Sequence, residues 1–225
     1  MRIIIGRSRS GKTKFLLDEI ARAAQKREGR QYLIVPELFS HAYERRLAQA
    51  THNQGACTAE VLSFTRLSGR IFAQTGGLAQ VTLDAAGRLL TLHEAARRVQ
   101  TSMQAYPGLT DRPELLREML SVIDELKTCV QPPEALFHAA QELRADGDDL
   151  LARKLTDLGA LYTTYDRLCE ETLPDPRGLL DRVADALPQS TVLDDAAIYI
   201  DSFASFTPQE LRVIDRMLEK KLPLT

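Results

Sequence analysis

Two hydrophobic patterns alternate over the first 75 residues, and only one continues afterwards. Short apolar runs come first. Arg2–Ile5 is brief, rich in isoleucine and ended by Gly6, which predicts a buried strand. Tyr32–Val35 ("YLIV") has the same character and is stopped by Pro36. Between them, residues 12–26 place Phe15, Leu16, Ile20, Ala23 and Ala24 on one helical face. Strand, loop, helix and strand in that order predict a parallel pair of strands joined by a right-handed crossover. "VPELFSHAYERRLAQA" turns into a second helix. "TAEVLSFTRLSGRIF" offers a third short strand at Glu60–Ser63, then a helix from Thr65, and Gly76-Gly77 marks a break.

From about Thr82 to Leu187 the strand pattern disappears. Amphipathic segments at 84–101, 113–129, 132–145, 148–171 and 176–187 are separated by Pro107, Pro113, Pro132-Pro133, Pro174 and Pro176. The apolar strand pattern returns at Ala197–Ile200 and ends in Asp201. A helix from Pro208 follows, with Thr207 as its cap, and "LPLT" reads as the first residues of another strand. The expected plan is an α/β layer over 1–80, an all-helical insertion over 81–190 and a return to the layer over 191–225. A domain that stops at the start of a strand suggests a fragment of a longer protein.

The first loop carries the chemistry. Gly6-Arg7-Ser8-Arg9-Ser10-Gly11-Lys12-Thr13 satisfies G-x-x-x-x-G-K-[ST] between a predicted strand and a predicted helix. Its glycines permit a nest of inward N–H groups, and the helix start presents positive charge to a nucleotide phosphate. Lys12 would reach the terminal phosphates. Thr13 would offer its hydroxyl to Mg²⁺, with Asp201 at the end of an apolar strand as the second group near the metal. Ser202 stands where a motor ATPase commonly has glutamate, and a serine hydroxyl is no base at neutral pH. No residue of this chain is therefore assigned a catalytic role, and slow ATP hydrolysis is expected.

Composition adds bounds. The net charge is −2, but residues 1–30 carry nine Lys/Arg against three Asp/Glu, which places any phosphate-rich ligand at the N-terminal part. Residues 111–160 carry six against eleven, the ordinary surface of long helices. Cys57, Cys129 and Cys169 are odd in number and widely spaced, which argues for buried free thiols in a reducing cytoplasm, not for a disulfide scaffold or a zinc site. No signal peptide and no membrane-length apolar run are evident.

Four stretches occur together in a recognisable order: "GRSRSGKT", "LIVPELFSHAYERRL", "VLSFTRLSGRIF" and "YIDSFASFTPQE". They resemble the N-terminal part of the B subunit of AddAB-type ATP-dependent helicase–nucleases, also called RexB. The phosphate loop is common to many families; "VPE-x-F" and "D-x-F-x-S-F-T-P" are the specific parts. The resemblance implies a RecA-like, superfamily 1 helicase-type sheet, incomplete here and interrupted by a helical subdomain. It implies ATP and Mg²⁺ as ligands, DNA and an A subunit as partners, and a part in processing double-strand DNA ends, with the A subunit as the main motor. A nuclease domain and an iron–sulfur cluster would lie beyond residue 225. By the same resemblance Ser63-Phe64-Thr65 corresponds to a loop that faces single-stranded DNA, which makes Ser63, Phe64 and Arg66 candidate DNA contacts. Phe64 would either stack on a base or pack between strand and helix, and Arg66 and Arg70 would either meet phosphates or form a solvated face. Leu38 departs from the family, which commonly has glutamine there. "GLLDRVAD" at Gly178–Asp185 imitates a nuclease motif, with Asp185 one residue late. The alternative reading is a P-loop kinase of small molecules.

Overall fold

The structure, a computed structural model, describes residues 1–52, 58–77 and 81–225. The chain divides into two compact units, Met1–Ala79 with Leu180–Thr225, and Gln80–Leu179. The first is α/β. Its elements are α1 (Lys12–Lys26), β1 (Arg30–Ile34), α2 (Ser40–Ala50), β2 (Ala59–Leu62), α3 (Phe64–Thr75), α8 (Leu179–Ala186), β3 (Ala196–Ile200) and α9 (Pro208–Glu219). Between α3 and α8 come α4 (Ala85–Val99), α5 (Pro113–Thr128), α6 (Pro133–Ala145) and α7 (Asp149–Glu171).

The three strands form a parallel sheet in the order β2-β1-β3. Leu33 lies opposite Val61 on one side and Tyr199 on the other. Apolar layers cover both faces, which is why the strands read as unbroken hydrophobic runs. Tyr32, Ile34, Leu62 and Ile198 pack with Leu67 and Ile71 of α3, Val183 of α8 and Val213 and Met217 of α9. Leu33, Val35, Val61 and Tyr199 face Leu16 and Ile20 of α1 and Tyr43 and Leu47 of α2. Gly29, at φ 73°, closes the turn from α1 into β1; a Cβ there would stand 2.5 Å from the carbonyl oxygen of Asp195. "LPLT" continues the sheet: the N–H of Thr225 donates to Ile198 O at 2.9 Å, and Leu224 bridges Ile198 in parallel.

Three expectations need correction. Arg2–Ile5 is not a buried strand. Its N–H at Arg2 donates to Leu224 O at 2.8 Å, but no ladder forms, and Ile3 and Ile5 are exposed while Ile4 packs inward. Three consecutive isoleucines look buried on both faces, yet here only one face is covered. Nor does the segment pair with β1, whose two edges are taken by β2 and β3. Residues 180–190, read as the tail of the helical insertion, pack Val183, Ala184 and Leu187 into the sheet's own core. Their helical periodicity carries no information about which core they join.

The helical unit is built on Leu92, Ile123, Leu161 and Tyr165, all fully buried. Asp157 of α7 is buried and accepts backbone N–H groups from Gln104, Ala105 and Tyr106 at 2.7–3.1 Å, fixing the connection after α4. Cys169 is buried there, and burial pushes its thiol up to about 11, so it is unreactive. Cys129 is exposed, contrary to the expectation of buried thiols, because it caps the last turn of α5. Cys57 lies outside the described residues. Among the described residues no helix is long and apolar enough to cross a membrane.

Candidate functional site

Gly6–Gly11 form an exposed loop that runs straight into α1. Arg9, at φ 60°, and Gly11, at φ 89°, both take the left-handed conformation, and a Cβ on Gly11 would meet nothing within 4 Å. Gly11 is thus required by its backbone and not by crowding. No side chain caps α1 and no acidic residue occupies its first turn. The helix therefore presents its first N–H groups and its positive end, an arrangement suited to an anion. Lys12 folds over the loop: its Nζ donates to Gly6 O at 2.7 Å and to Arg7 O at 2.9 Å. Among the eight loop residues, Lys12 and Thr13 are half-buried and the others are exposed.

Thr13 and Asp201 meet across 188 residues of sequence, with Thr13 Oγ1 donating to Asp201 Oδ2 at 2.7 Å. The sheet produces this meeting. α1 packs on the face of β3, and Asp201 follows the last residue of β3, where its N–H still donates to Ile34 O at 3.1 Å. Asp201 Oδ1 accepts the N–H of Ser202 at 2.8 Å. Ser202 sits at φ 66°, a left-handed conformation uncommon for serine.

A third partner was not apparent from the sequence. Tyr43 of α2 is buried at 3 % exposure, and its hydroxyl lies 2.9 Å from Asp201 Oδ2, 2.6 Å from Ser202 Oγ and 3.4 Å from Thr13 Oγ1. Burial holds its phenol above the ordinary value, with the Asp201 charge acting the same way, so it is protonated at neutral pH. In "ELFSHAYERRL" Tyr43 reads as one member of the apolar face with Leu47. The signal was that a tyrosine on a buried face requires a partner for its hydroxyl.

Mg²⁺ fits this donor set in a limited way. Among the described residues no group of three or more His, Cys, Asp or Glu could hold a metal. Thr13 and Asp201 supply one hydroxyl and one carboxylate, and Mg²⁺ is commonly held by one or two carboxylates with phosphate oxygens and waters completing its shell. Lys12 and Asp201 also line a cleft of about 390 Å³ with apolar walls that include Leu16, Ile200, Phe206 and Leu224.

The residues assigned to a DNA-facing loop have other contacts. Ser63 is buried and caps α3, accepting the N–H of Arg66 at 3.1 Å. Phe64 is buried in the sheet's core, edge-on to Phe203 at 5.7 Å, and Phe203 stacks on Phe206 at 4.8 Å. Of its two readings, the structure takes packing between strand and helix. The specific stretch "DSFASFTP" thus anchors itself on Phe64. Arg66 pairs with Glu44, and Arg70 with Glu60 at 2.5 Å. Leu38 is exposed. Asp181 and Asp185, in the stretch that imitates a nuclease motif, each bond Arg212 of α9 at 2.9 Å and tie α8 to α9.

Residues 3–222 match the family model described as ADDB, N-terminal. Similar proteins are named as the B subunit of an ATP-dependent helicase/deoxyribonuclease. That of Acetivibrio thermocellus is 33% identical over 221 residues, covering 98% of this chain and 19% of the relative. That of Desulforamulus reducens is 31% identical, covering 97% and 19%, and that of Clostridioides difficile is 30% identical, covering 98% and 19%. The chain therefore spans about one-fifth of the length of the curated relatives it matches.

Proposed function

Because this chain belongs to the ADDB N-terminal family, we propose that it is the ATP-binding, helicase-like region of a helicase–nuclease B subunit. In this reading the sheet is of the RecA-like, superfamily 1 type. Gly6, Arg7, Ser8, Arg9, Ser10 and Gly11 wrap the phosphates with their backbone. Lys12 leaves the Gly6 and Arg7 carbonyls for the terminal phosphates, and Thr13 with Asp201 holds Mg²⁺. The observation that carries the proposal is the 2.7 Å contact of Thr13 with Asp201 at the start of an uncapped helix. Held by Thr13 and Asp201, Mg²⁺ would supply charge neutralisation to the nucleotide phosphates. Ser202 supplies no base for water, so the region binds ATP and turns it over slowly, sensing or steering DNA while an A subunit drives movement.

The relatives' name supports ATP dependence, a DNA substrate and a second, partner polypeptide for the whole protein. We place that protein in the cytoplasm, at double-strand DNA ends undergoing recombinational repair. We assign the nuclease and an iron–sulfur cluster to the rest of the whole protein, outside this chain. Family membership removes the support for the small-molecule kinase alternative.

A fluorescent ATP analogue titrated into the 225-residue chain with Mg²⁺ tests the reading. Lys12→Ala weakens binding by about tenfold or more, and Asp201→Ala removes the Mg²⁺ enhancement while sparing part of the metal-free binding. Binding indifferent to Lys12→Ala would overturn it, and so would rapid DNA-stimulated hydrolysis.

A further inference from the structure

The phosphate-loop motif does not require a tyrosine, yet Tyr43 bonds the carboxylate on which the cation would depend. Its single hydroxyl proton can reach Asp201 Oδ2 at 2.9 Å or Ser202 Oγ at 2.6 Å, with Thr13 Oγ1 farther off at 3.4 Å. Asp201 is already engaged on both oxygens, by Thr13 Oγ1 on Oδ2 and by the Ser202 N–H on Oδ1. When Tyr43 donates to Asp201, both lone pairs of Oδ2 are occupied. When it donates to Ser202, Oδ2 regains a lone pair beside the Thr13 hydroxyl.

We propose that Tyr43 and Ser202 form a two-position hydrogen-bond switch that sets cation affinity at the Thr13–Asp201 pair. The proposal rests on the Mg²⁺–nucleotide reading above and assigns its regulation. In the cation-free position Tyr43 donates to Asp201 and offsets part of its charge. Cation binding turns the hydroxyl to Ser202 by rotation about the C–O bond, while the buried ring stays among Leu47, Val61 and the rest of its cluster. The left-handed backbone at Ser202 is what keeps Oγ within reach, and it is the kind of local strain that persists where the surroundings hold it. Ser202 thus has a task other than catalysis: it accepts the hydrogen bond that Tyr43 withdraws from Asp201.

The test measures the Mg²⁺ concentration for half-maximal enhancement of fluorescent-ATP binding, alongside affinity without metal. Tyr43→Phe removes the competing donor and lowers the Mg²⁺ requirement by about three- to tenfold. Ser202→Gly keeps the left-handed backbone but removes the second acceptor, locks Tyr43 on Asp201 and raises the requirement by a similar factor. The double variant behaves as Tyr43→Phe. Metal-free affinity stays within about twofold throughout. An unchanged Mg²⁺ requirement in Tyr43→Phe, with binding still lost in Lys12→Ala, overturns the switch and leaves the nucleotide reading standing. A Tyr43→Phe that loses metal-free affinity together with the Mg²⁺ response also overturns it, since that is the result of a loosened core. Absence of Lys12-dependent binding in the unaltered chain overturns both.

Discussion

Asp175 sits at the centre of a cluster of charged side chains inside the helical unit. Its carboxylate accepts the Tyr165 hydroxyl at 3.0 Å and the Arg177 N–H at 2.9 Å, with Lys127 Nζ and Arg88 Nε each 3.1 Å away. Burial would push this carboxyl up, but Lys127, the Arg177 N–H and Arg88 outweigh it and hold it below the ordinary 3.8. A depressed folded value means that the charged form stabilises the fold at pH above 3.8, and that this contribution fades as the pH falls through the depressed value. Asp175→Asn removes the carboxylate that Arg88 and Lys127 share, leaving Arg88 with Asp124 and Lys127 with Asp166. It is expected to cost about 3 kcal/mol at pH 7, measured by urea unfolding, with the variant and the unaltered chain converging in acid. A constant difference from pH 7 to pH 2 would contradict this account.

Helix α9 shows how far local sequence reaches at the level of an element. Thr207 and Pro208 signal its start, and the structure adds a reciprocal cap: the Thr207 hydroxyl accepts the Glu210 N–H at 3.2 Å, and Glu210 accepts the Thr207 N–H at 2.8 Å. Thr207→Ala is expected to lower stability by about 1 kcal/mol, read as a lower urea midpoint at unchanged slope. Helix bounds were legible because they follow from caps, prolines and periodicity: α1, α5, α6, α7 and α9 fall within a residue or two of the segments read from the chain. Partnership was not legible. α8 has the same amphipathic character as its predecessors, yet Val183 and Leu187 enter the sheet's core. The isoleucines of Arg2–Ile5 promised burial that depends on neighbours their own sequence does not describe. At the candidate site, Lys12, Thr13 and Asp201 stand out in the sequence because a fixed motif and the end of an apolar strand mark them, and the structure adds the contact of Thr13 with Asp201. Tyr43 does not stand out, because its role exists only once α2 lies beside the end of β3.

For the whole molecule, the site belongs to one unit alone. Gly6–Thr13, Tyr43, Asp201 and Ser202 all lie in the sheet unit. Mg²⁺ and ATP are therefore expected to slow amide exchange over 6–15, 40–47 and 200–203, with residues 85–171 at their ligand-free rates. Protection confined to the helical unit would place the ligand elsewhere.

The contact of Thr13 with Asp201 has a consequence for the order in which the protein is made. Its two halves are separated by the helical unit, whose own sequence is continuous from 80 to 179. A ribosome delivers the Gly6–Gly11 loop first, then the compact helical unit, and only afterwards β3, which pairs with β1 across about 165 residues. Pairing at such sequence separation is slow because a long loop must close before the contact rewards it. Until then the loop and α1 exist without their acidic partner, and the Thr13–Asp201 pair forms only once β3 is in place. A nascent chain halted before residue 196 would carry the whole of Gly6–Thr13 and yet lack the carboxylate that completes it.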